Sequence, residues 1–119
     1  MNKHHYAIAR SMAGVWMADS VPVRFSLSRG VPRALPKNNT AIYITERRGG
    51  RTAYVGQTRQ GVAVRLSQHM RDWSRATQWA WVWVVPIVDE TPACELSRIE
   101  GRIGVWLHPT DCRRFPRTD

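Results

Sequence analysis

The stretch TAIYITERRGGRTAYVGQT, residues 40–58, decides the fold of this 119-residue chain. AIYIT (41–45) has the composition of a strand, with two isoleucines on one face and Tyr43 on the other. TAYVG (52–56) repeats that character after a turn whose Gly-Gly pair permits positive φ. We therefore predict a β-hairpin that carries one tyrosine in each arm, Tyr43 and Tyr54, and three arginines around its tip.

A helix and a third strand are predicted after the hairpin. The helix begins after Gly61, runs for about a dozen residues and is amphipathic. Its apolar stripe consists of Val62, Leu66, Met70 and Trp73. The strand is QWAWVWVVPIV (78–88), which is rich in aromatic and β-branched residues. We expect Trp79, Trp81 and Trp83 on one face of it, packed in the core, and a stacking platform for unpaired bases is the alternative.

A last helix and two earlier elements complete the expected fold. The helix spans 92–107, since Thr-Pro is a typical helix start and a proline follows at position 109. Residues 5–18 have the pattern of a short helix, and VPVRFSL (21–27) alternates like a strand. The predicted class is α/β of the α+β type, with a small three-stranded, mainly antiparallel sheet flanked by helices.

The chain divides into three predicted parts. Residues 40–109 form the core, residues 1–39 an N-terminal extension, and residues 110–119 a basic C-terminal tail. The extension is compatible with an added layer, a dimerisation arm or a basic arm on nucleic acid. The sequence leaves these roles open, together with the question of a homodimer.

The net charge is strongly positive and unevenly distributed. It is +9, and sixteen of the eighteen basic residues are arginines, whose planar fork grips phosphate at two points. Residues 1–75 carry an excess of ten positive charges, whereas residues 76–119 carry one net negative charge. This distribution favours a polyanion-binding face, and hence a nucleic-acid partner, over a charge that serves only solubility.

Cysteine content and hydropathy bear on location. Cys94 and Cys112 have neither metal-ligand spacing nor a disulfide framework, which indicates a reducing compartment. No apolar run reaches transmembrane length. We therefore expect a cytoplasmic protein with no membrane partner.

Three polar residues are predicted beside buried helical faces. Arg65 and His69 are four residues apart and share one face of their helix. Glu100 lies at the edge of the buried face of the last helix, where a carboxylate is costly unless it meets a cation or a metal. A structural ion pair between Glu100 and Arg65 is one interpretation. A functional site that also includes the hairpin tyrosines is the other.

These elements together resemble the GIY-YIG nucleases. The GIY element reads AIY at 41–43, and the YIG element reads YVG at 54–56. Arg65 and His69 follow at spacings similar to those of the family. Glu100 precedes a proline in IEGRIGVWLHP, which resembles the helix that carries the metal-binding glutamate of the family. The resemblance covers residues 40–109 and depends on five short motifs in the right order.

Departures from the family pattern are few. Ala41 replaces the first glycine, and Val55 replaces isoleucine. TDC (110–112) occupies the positions where the family often carries an asparagine, so that contact is lost or supplied elsewhere. Glu95 competes with Glu100 as a metal ligand, but it fits the family spacing poorly and can pair with an arginine of its own helix.

The resemblance implies a divalent-metal-dependent endonuclease that hydrolyses DNA phosphodiester bonds. In such an enzyme Glu100 would hold one Mg²⁺ or Mn²⁺ ion per active site, and Arg65 would neutralise charge on the phosphoryl oxygens. Tyr43 would position or deprotonate the attacking water, with His69 as a proton relay. Tyr54 would hold the phosphate or the water. These five residues are the catalytic candidates, with Glu100 as the metal ligand.

Candidate nucleic-acid contacts lie in the basic part of the chain. They are Lys37, Arg47, Arg48, Arg51, Arg59 and Arg71. The DNA partner is duplex, branched or single-stranded, and the sequence does not distinguish these. A non-catalytic nucleic-acid-binding module with a degenerate GIY-YIG fold is the alternative function. A purely structural basic protein explains the charge but not the presence of all five catalytic side-chain types.

Overall fold

The computed structural model describes residues 1–18, 24–33, 35 and 39–111 and shows an α+β fold within them. The helices are α1 (Lys3–Ala13), α2 (Val62–Asp72) and α3 (Ala93–Leu107). The strands are β1 (Arg24–Ser26), β2 (Ala41–Arg47), β3 (Thr52–Thr58) and β4 (Trp79–Pro86). Short 3-10 helices follow α1 at Gly14–Trp16 and α2 at Ser74–Gln78. The predicted α+β class is thus confirmed.

The sheet of the described residues has four strands rather than the three predicted. Its order is β1-β4-β2-β3, and all neighbouring strands are antiparallel. The additional strand is β1, in which Phe25 pairs with Val82 of β4. Without β1, the backbone groups of β4 would be unpaired along one side, which is a liability for any sheet edge. Part of the predicted strand 21–27 therefore joins the main sheet.

The predicted hairpin is confirmed and fixes the two tyrosines on one face. Tyr43 pairs with Gly56, and Thr45 pairs with Tyr54. Because side chains alternate along a strand, Tyr43 and Tyr54 point to the same side of the sheet. Both strands extend two residues beyond their predicted ends, to Arg47 and Thr58.

Hydrophobic clusters form on both faces of the sheet. One face packs against α1 and α3 through Ile42, Ile44, Val55, Trp83, Val85, Leu96, Ile99 and Ile103. The other face packs against α2 through Tyr43, Ala53, Val62, Leu66, Val82 and Val84. The helix α1 also buries Tyr6, Ala9 and Ala13, so residues before the hairpin contribute to the core.

Helix boundaries follow from local capping chemistry. The Asn2 side chain accepts a hydrogen bond from the His5 backbone N–H at 2.9 Å, which starts α1 before the predicted residue 5. Gly14, with φ of 55°, ends α1 earlier than predicted. Pro92 is the N-cap of α3, so this helix begins at Ala93. None of the described helices combines the length and apolar character that a membrane span requires.

A register irregularity between β2 and β4 changes the placement of the tryptophans. Glu46 pairs with Trp81, but the next residue of β2 pairs with Trp79, so Ala80 is an extra residue on β4. A bulge of this kind reverses the side-chain alternation beyond it. Trp83 consequently packs with the α1 and α3 cluster, whereas Trp79 packs with the α2 cluster. The expectation that Trp79, Trp81 and Trp83 share one face is therefore wrong.

Candidate active site

A buried tyrosine and a buried histidine form the centre of the candidate site. The Tyr43 hydroxyl lies 2.8 Å from Nε2 of His69. Tyr43 has 0% of its surface exposed, and His69 has 9%. The apolar residues Val62 and Leu66 anchor α2 on the sheet and thereby hold His69 above the hairpin. Two predicted site residues, 26 positions apart in the sequence, are thus in direct contact.

Burial determines which of these two groups holds the proton. It raises the pKa of Tyr43 well above its usual range and lowers the pKa of His69 to about 4. At neutral pH the phenol is therefore protonated and the imidazole is neutral. In the tautomer that carries its proton on Nδ1, the neutral imidazole accepts the Tyr43 hydroxyl proton at Nε2.

Arg65 is close enough to act on both groups. It lies one helical turn before His69, and its guanidinium donates to Oε1 of Gln68 at 3.1 Å. Burial is the largest cause that lowers the pKa of His69, and the Arg65 charge is the second largest. The same guanidinium opposes the raised pKa of Tyr43 through its charge and a hydrogen bond. Tyr43, Arg65 and His69 therefore form one electrostatic unit.

Gly56, the last residue of YVG, is required by the position of the Tyr43 ring. A β-carbon at position 56 would lie 2.5 Å from both Cζ and the hydroxyl oxygen of Tyr43. It would also lie 2.6 Å from Cε1 of Tyr54. Only glycine lets the two tyrosine rings approach this part of the backbone. The motif residue therefore has a steric role in the site.

Tyr54 belongs to a cluster of four aromatic rings beside Tyr43. The members are Tyr54, His69, Trp73 and Trp79. Every pair of their ring centroids lies between 5.1 and 6.0 Å apart. Trp79 stacks on Tyr54 with an interplanar angle of 22°, and the other pairs are tilted or edge-on, as aromatic rings prefer. This position of Trp79 was not predicted from the sequence, because no residue pattern indicates the bulge at Ala80.

Glu100 approaches the site from α3, which packs against β3. Its Oε2 accepts a hydrogen bond from Nε2 of Gln57 at 3.1 Å. Gln57 follows Gly56 and so points away from the face that carries the tyrosines. The charge of Glu100 is the smallest of the causes that raise the pKa of Tyr43, after burial and the Tyr54 phenol. Of the five catalytic candidates, Glu100 is the one carried by the helix that packs on the opposite face of the sheet from Tyr43.

The carboxylate of Glu100 is buried without a cationic partner. It is 8% exposed, and none of the ion pairs among the described residues includes it. The interpretation of a structural ion pair with Arg65 is therefore wrong. Burial raises the pKa of Glu100 above its usual range, although its hydrogen bonds with Gln57 oppose this effect. Such a carboxylate gains from a bound cation.

No group of three His, Cys, Asp or Glu side chains in the described part of the chain is arranged to hold a metal ion. A Mg²⁺ site does not require such a group, because this ion retains several waters and is commonly held by one or two carboxylates. The donor set at Glu100 therefore fits a hydrated divalent cation better than a fully protein-ligated one.

Asp111, which the sequence did not single out as a site residue, connects the aromatic cluster to the arginines. Its Oδ2 accepts the Trp79 indole N–H at 2.9 Å, and its Oδ1 accepts a 2.7 Å hydrogen bond from Arg47. Burial alone would raise the pKa of Asp111, yet these hydrogen bonds hold it below its usual range. Backbone bonds from Thr110 and Asp111 to Thr52 and Ala53 fix the segment beside β3.

The predicted nucleic-acid contacts have different environments. Arg48 and Arg51 are exposed at the hairpin tip, and no ion pair of the described residues involves them. Arg47 is held by Asp111 and by Oε1 of Gln78. Arg59 donates hydrogen bonds to the carbonyls of Asp89 and Thr91, and Arg71 forms an ion pair with Asp72 at 3.1 Å. Lys37 lies outside the described residues.

Comparison with known proteins gives no match: no family model, curated protein or solved structure matches the chain. Support for a function therefore comes from the residues themselves and from their arrangement in the fold.

Proposed function

We propose that the protein is a divalent-metal-dependent endonuclease that hydrolyses DNA phosphodiester bonds, as the GIY-YIG nucleases that its sequence resembles do. The observation that carries the proposal is the 2.8 Å contact between the buried Tyr43 phenol and Nε2 of His69. Arg65 lies one helical turn before His69, and Glu100 is a buried carboxylate on α3. The proposal combines a proton acceptor, a cation for phosphate and a carboxylate for a metal.

The Tyr43–His69 pair supplies a route for one proton. A water that attacks phosphorus must lose a proton, and an isolated buried phenol with a raised pKa is a poor base. The neutral imidazole of His69 is the acceptor within reach, and the negative charge of a bound phosphate would offset the burial and the Arg65 charge that lower its pKa to about 4. The water proton passes to the Tyr43 oxygen while the phenol proton passes to Nε2 of His69. The phenol then never carries a full negative charge.

Arg65 is the residue that contacts the phosphate in this proposal. It is half-buried, whereas Tyr43 is fully buried, so a phosphate can reach the guanidinium. Two of its N–H donors would neutralise the charge that develops on the phosphoryl oxygens.

Glu100 would hold the metal ion in this proposal. When bound, a divalent cation supplies charge neutralisation at the leaving oxygen. Glu100 fits this role because it is buried and lacks an ion-pair partner within the described ranges. Gln57 orients the carboxylate through its amide at 3.1 Å and leaves the other carboxylate oxygen for the cation.

Tyr54 is the accessible tyrosine of the site. It is half-buried, and its ring is fixed by Trp79 at 5.4 Å and by Trp73 at 5.5 Å. Because the ring is already fixed, its hydroxyl can hold the phosphate or the attacking water with little further loss of conformational entropy. The stacked tryptophan thus positions Tyr54 for the substrate.

The test is cleavage of supercoiled plasmid, linear duplex, single-stranded and branched DNA, each with Mg²⁺ and with a chelator. The proposal requires Mg²⁺-dependent cutting of at least one substrate by the wild-type protein. Cutting should disappear in Arg65→Ala and in Glu100→Ala, while Arg102→Ala on the exposed side of α3 should cut normally. Cleavage that persists in Glu100→Ala would remove the metal assignment.

One observation favours the alternative of a non-catalytic nucleic-acid-binding module. Tyr43 has 0% exposure, and a catalytic phenol must reach its substrate. If every substrate stays intact in Mg²⁺ while the protein still binds DNA, the alternative holds and the Tyr43–His69 bond is a structural element of the core.

A further inference from the structure

A cleft next to the candidate active site has mixed chemistry. It lies between the hairpin tip, the start of β4 and the residues after β1, and its volume is about 540 Å³. Sites for small ligands span roughly 300–1,000 Å³. The residues that decide its chemistry are the apolar Leu27, Trp79 and Ala80, the polar Thr77 and Gln78, and the cationic Arg48. We call this feature the arginine cleft.

Positive charge predominates around the arginine cleft. Arg48 is exposed and forms no ion pair with any described residue. A neighbouring depression of about 430 Å³ shares Arg47 and adds Arg51 and Arg75. The acid at this place, Asp111, is already bonded to Arg47 and to Trp79. Arg75 also lies 3.8 Å from Asp111, so the guanidinium groups without an ion pair among the described residues there are those of Arg48 and Arg51, which an anion such as phosphate can bind.

Trp79 links the arginine cleft to the candidate active site. It forms part of the cleft wall, and its ring stacks on Tyr54 at a centroid distance of 5.4 Å. Its indole N–H is fixed on Asp111 at 2.9 Å, so the ring has one defined orientation. Trp79 is 3% exposed, so it is a mostly buried residue that the cleft wall and the aromatic cluster share.

We infer that the arginine cleft binds one unpaired nucleotide of a DNA strand, adjacent to the phosphate held at Tyr54 and Arg65. This inference rests on the proposed nuclease function and adds a substrate class, namely strands with unpaired bases. The base lies beside Thr77, whose hydroxyl donates to the Ser74 carbonyl, and beside Gln78, whose Oε1 accepts from Arg47, while Arg48 takes the phosphate. A base in a duplex is covered by its neighbours on both faces and cannot enter such a cleft.

The test measures binding in the catalytically inactive Glu100→Gln background with a chelator present. Fluorescence anisotropy compares a short labelled single strand with a duplex of the same sequence. Arg48→Ala removes the phosphate contact, and Thr77→Trp fills the cleft. Each should weaken binding of the single strand roughly tenfold and weaken binding of the duplex much less.

A matched charge control is Arg98→Ala, because Arg98 is exposed on α3 and its partner Glu95, at 3.6 Å, lies on the same helix. This variant should bind both DNAs as the parent does. The inference is overturned if Thr77→Trp binds the single strand normally, if both cleft variants weaken duplex binding equally, or if Arg98→Ala has the same effect. Thermal unfolding confirms that each variant is folded.

Failure of this inference is distinguishable from failure of the proposed function. If the wild type cuts DNA in Mg²⁺ but the Thr77→Trp variant binds single strands normally, the protein is a nuclease without a nucleotide site in the cleft. A protein whose cleft variants lose single-strand binding, but whose wild type cuts nothing, has the site without the activity.

Discussion

Gly56 lies directly opposite Tyr43 in the hairpin, so close that a β-carbon on Gly56 would come within 2.5 Å of the phenol. The ring that donates to His69 is thus positioned by the absence of a side chain on the neighbouring strand. This contact makes the last residue of YVG a sensitive reporter of the site.

Gly56→Ala should destabilise the fold and reduce cleavage together. The new methyl group meets the Tyr43 ring and must displace it, at a cost of about 1–3 kcal/mol. Gly49→Ala is the control, because Gly49 has open space around its Cα but a φ of 91°. It should lose about 1 kcal/mol of stability and keep its cutting rate. Thermal unfolding and plasmid nicking measure both effects, and normal cutting by Gly56→Ala would contradict the role of the ring position.

Tyr43→Phe should keep its affinity for DNA and lose cutting. The change removes the hydroxyl that donates to Nε2 of His69, and proton transfer of this kind contributes roughly 10²–10⁴ to a rate. Tyr6→Phe is the matched control, since the Tyr6 hydroxyl is buried on the other face of the sheet and donates to the Val84 carbonyl. Single-turnover cleavage and binding in a chelator are the measurements. Equal rates for the two variants would place the base elsewhere.

Glu100→Gln should raise the melting temperature of the metal-free protein at neutral pH by a few degrees. Burial raises the pKa of Glu100 in the folded state. Folding therefore disfavours the ionised form, and stability falls as pH rises from the unfolded pKa through the folded one. The variant should match the wild type below that window and exceed it above. Mg²⁺ should then stabilise the wild type and not the variant. Equal stabilisation of both would assign the metal to another site.

Acidification should destabilise the wild type through His69. Its pKa is lowered to about 4, so the neutral form contributes stability that is complete above the unfolded value of 6.5. That contribution is lost as pH falls through about 4. Between these pH values the wild type should lose about 3 kcal/mol more than His69→Gln. His108→Gln, at an exposed position, should follow the wild type. Denaturant unfolding across this pH range measures the free energy of unfolding of each protein. If it falls equally for the wild type and His69→Gln, the prediction is wrong.

The hairpin and the helices that carry the candidate site could be predicted because their signals are local. Alternation along β2 and β3 and the apolar stripe of α2 each determine which side chains share a face. The contact of His69 with Tyr43 follows from these two patterns once α2 covers the sheet. The grouping of Tyr43, Tyr54, Arg65 and His69 was predicted from the resemblance to the GIY-YIG nucleases, and the structure brings Tyr43 and Tyr54 into contact with His69.

Other features depend on packing that no local pattern encodes. The bulge at Ala80 moves Trp79 to the face of Tyr54, and nothing in the tryptophan repeat indicates it. Asp111 acquires its partners only when the chain after α3 returns to the hairpin. A strand at 21–27 was predicted from its alternation, but its pairing with β4 was not. These three features require knowledge of long-range contacts.

The return of Thr110 and Asp111 to the outer side of β3 also affects how copies of the protein meet. Their amides bond the carbonyls of Thr52 and Ala53 at 3.1 and 2.7 Å. An open strand edge is a template for pairing with another chain and for aggregation. Here the chain itself occupies that edge at the start of β3, next to the hairpin tip. Intermolecular strand addition at this point would have to displace a buried carboxylate first.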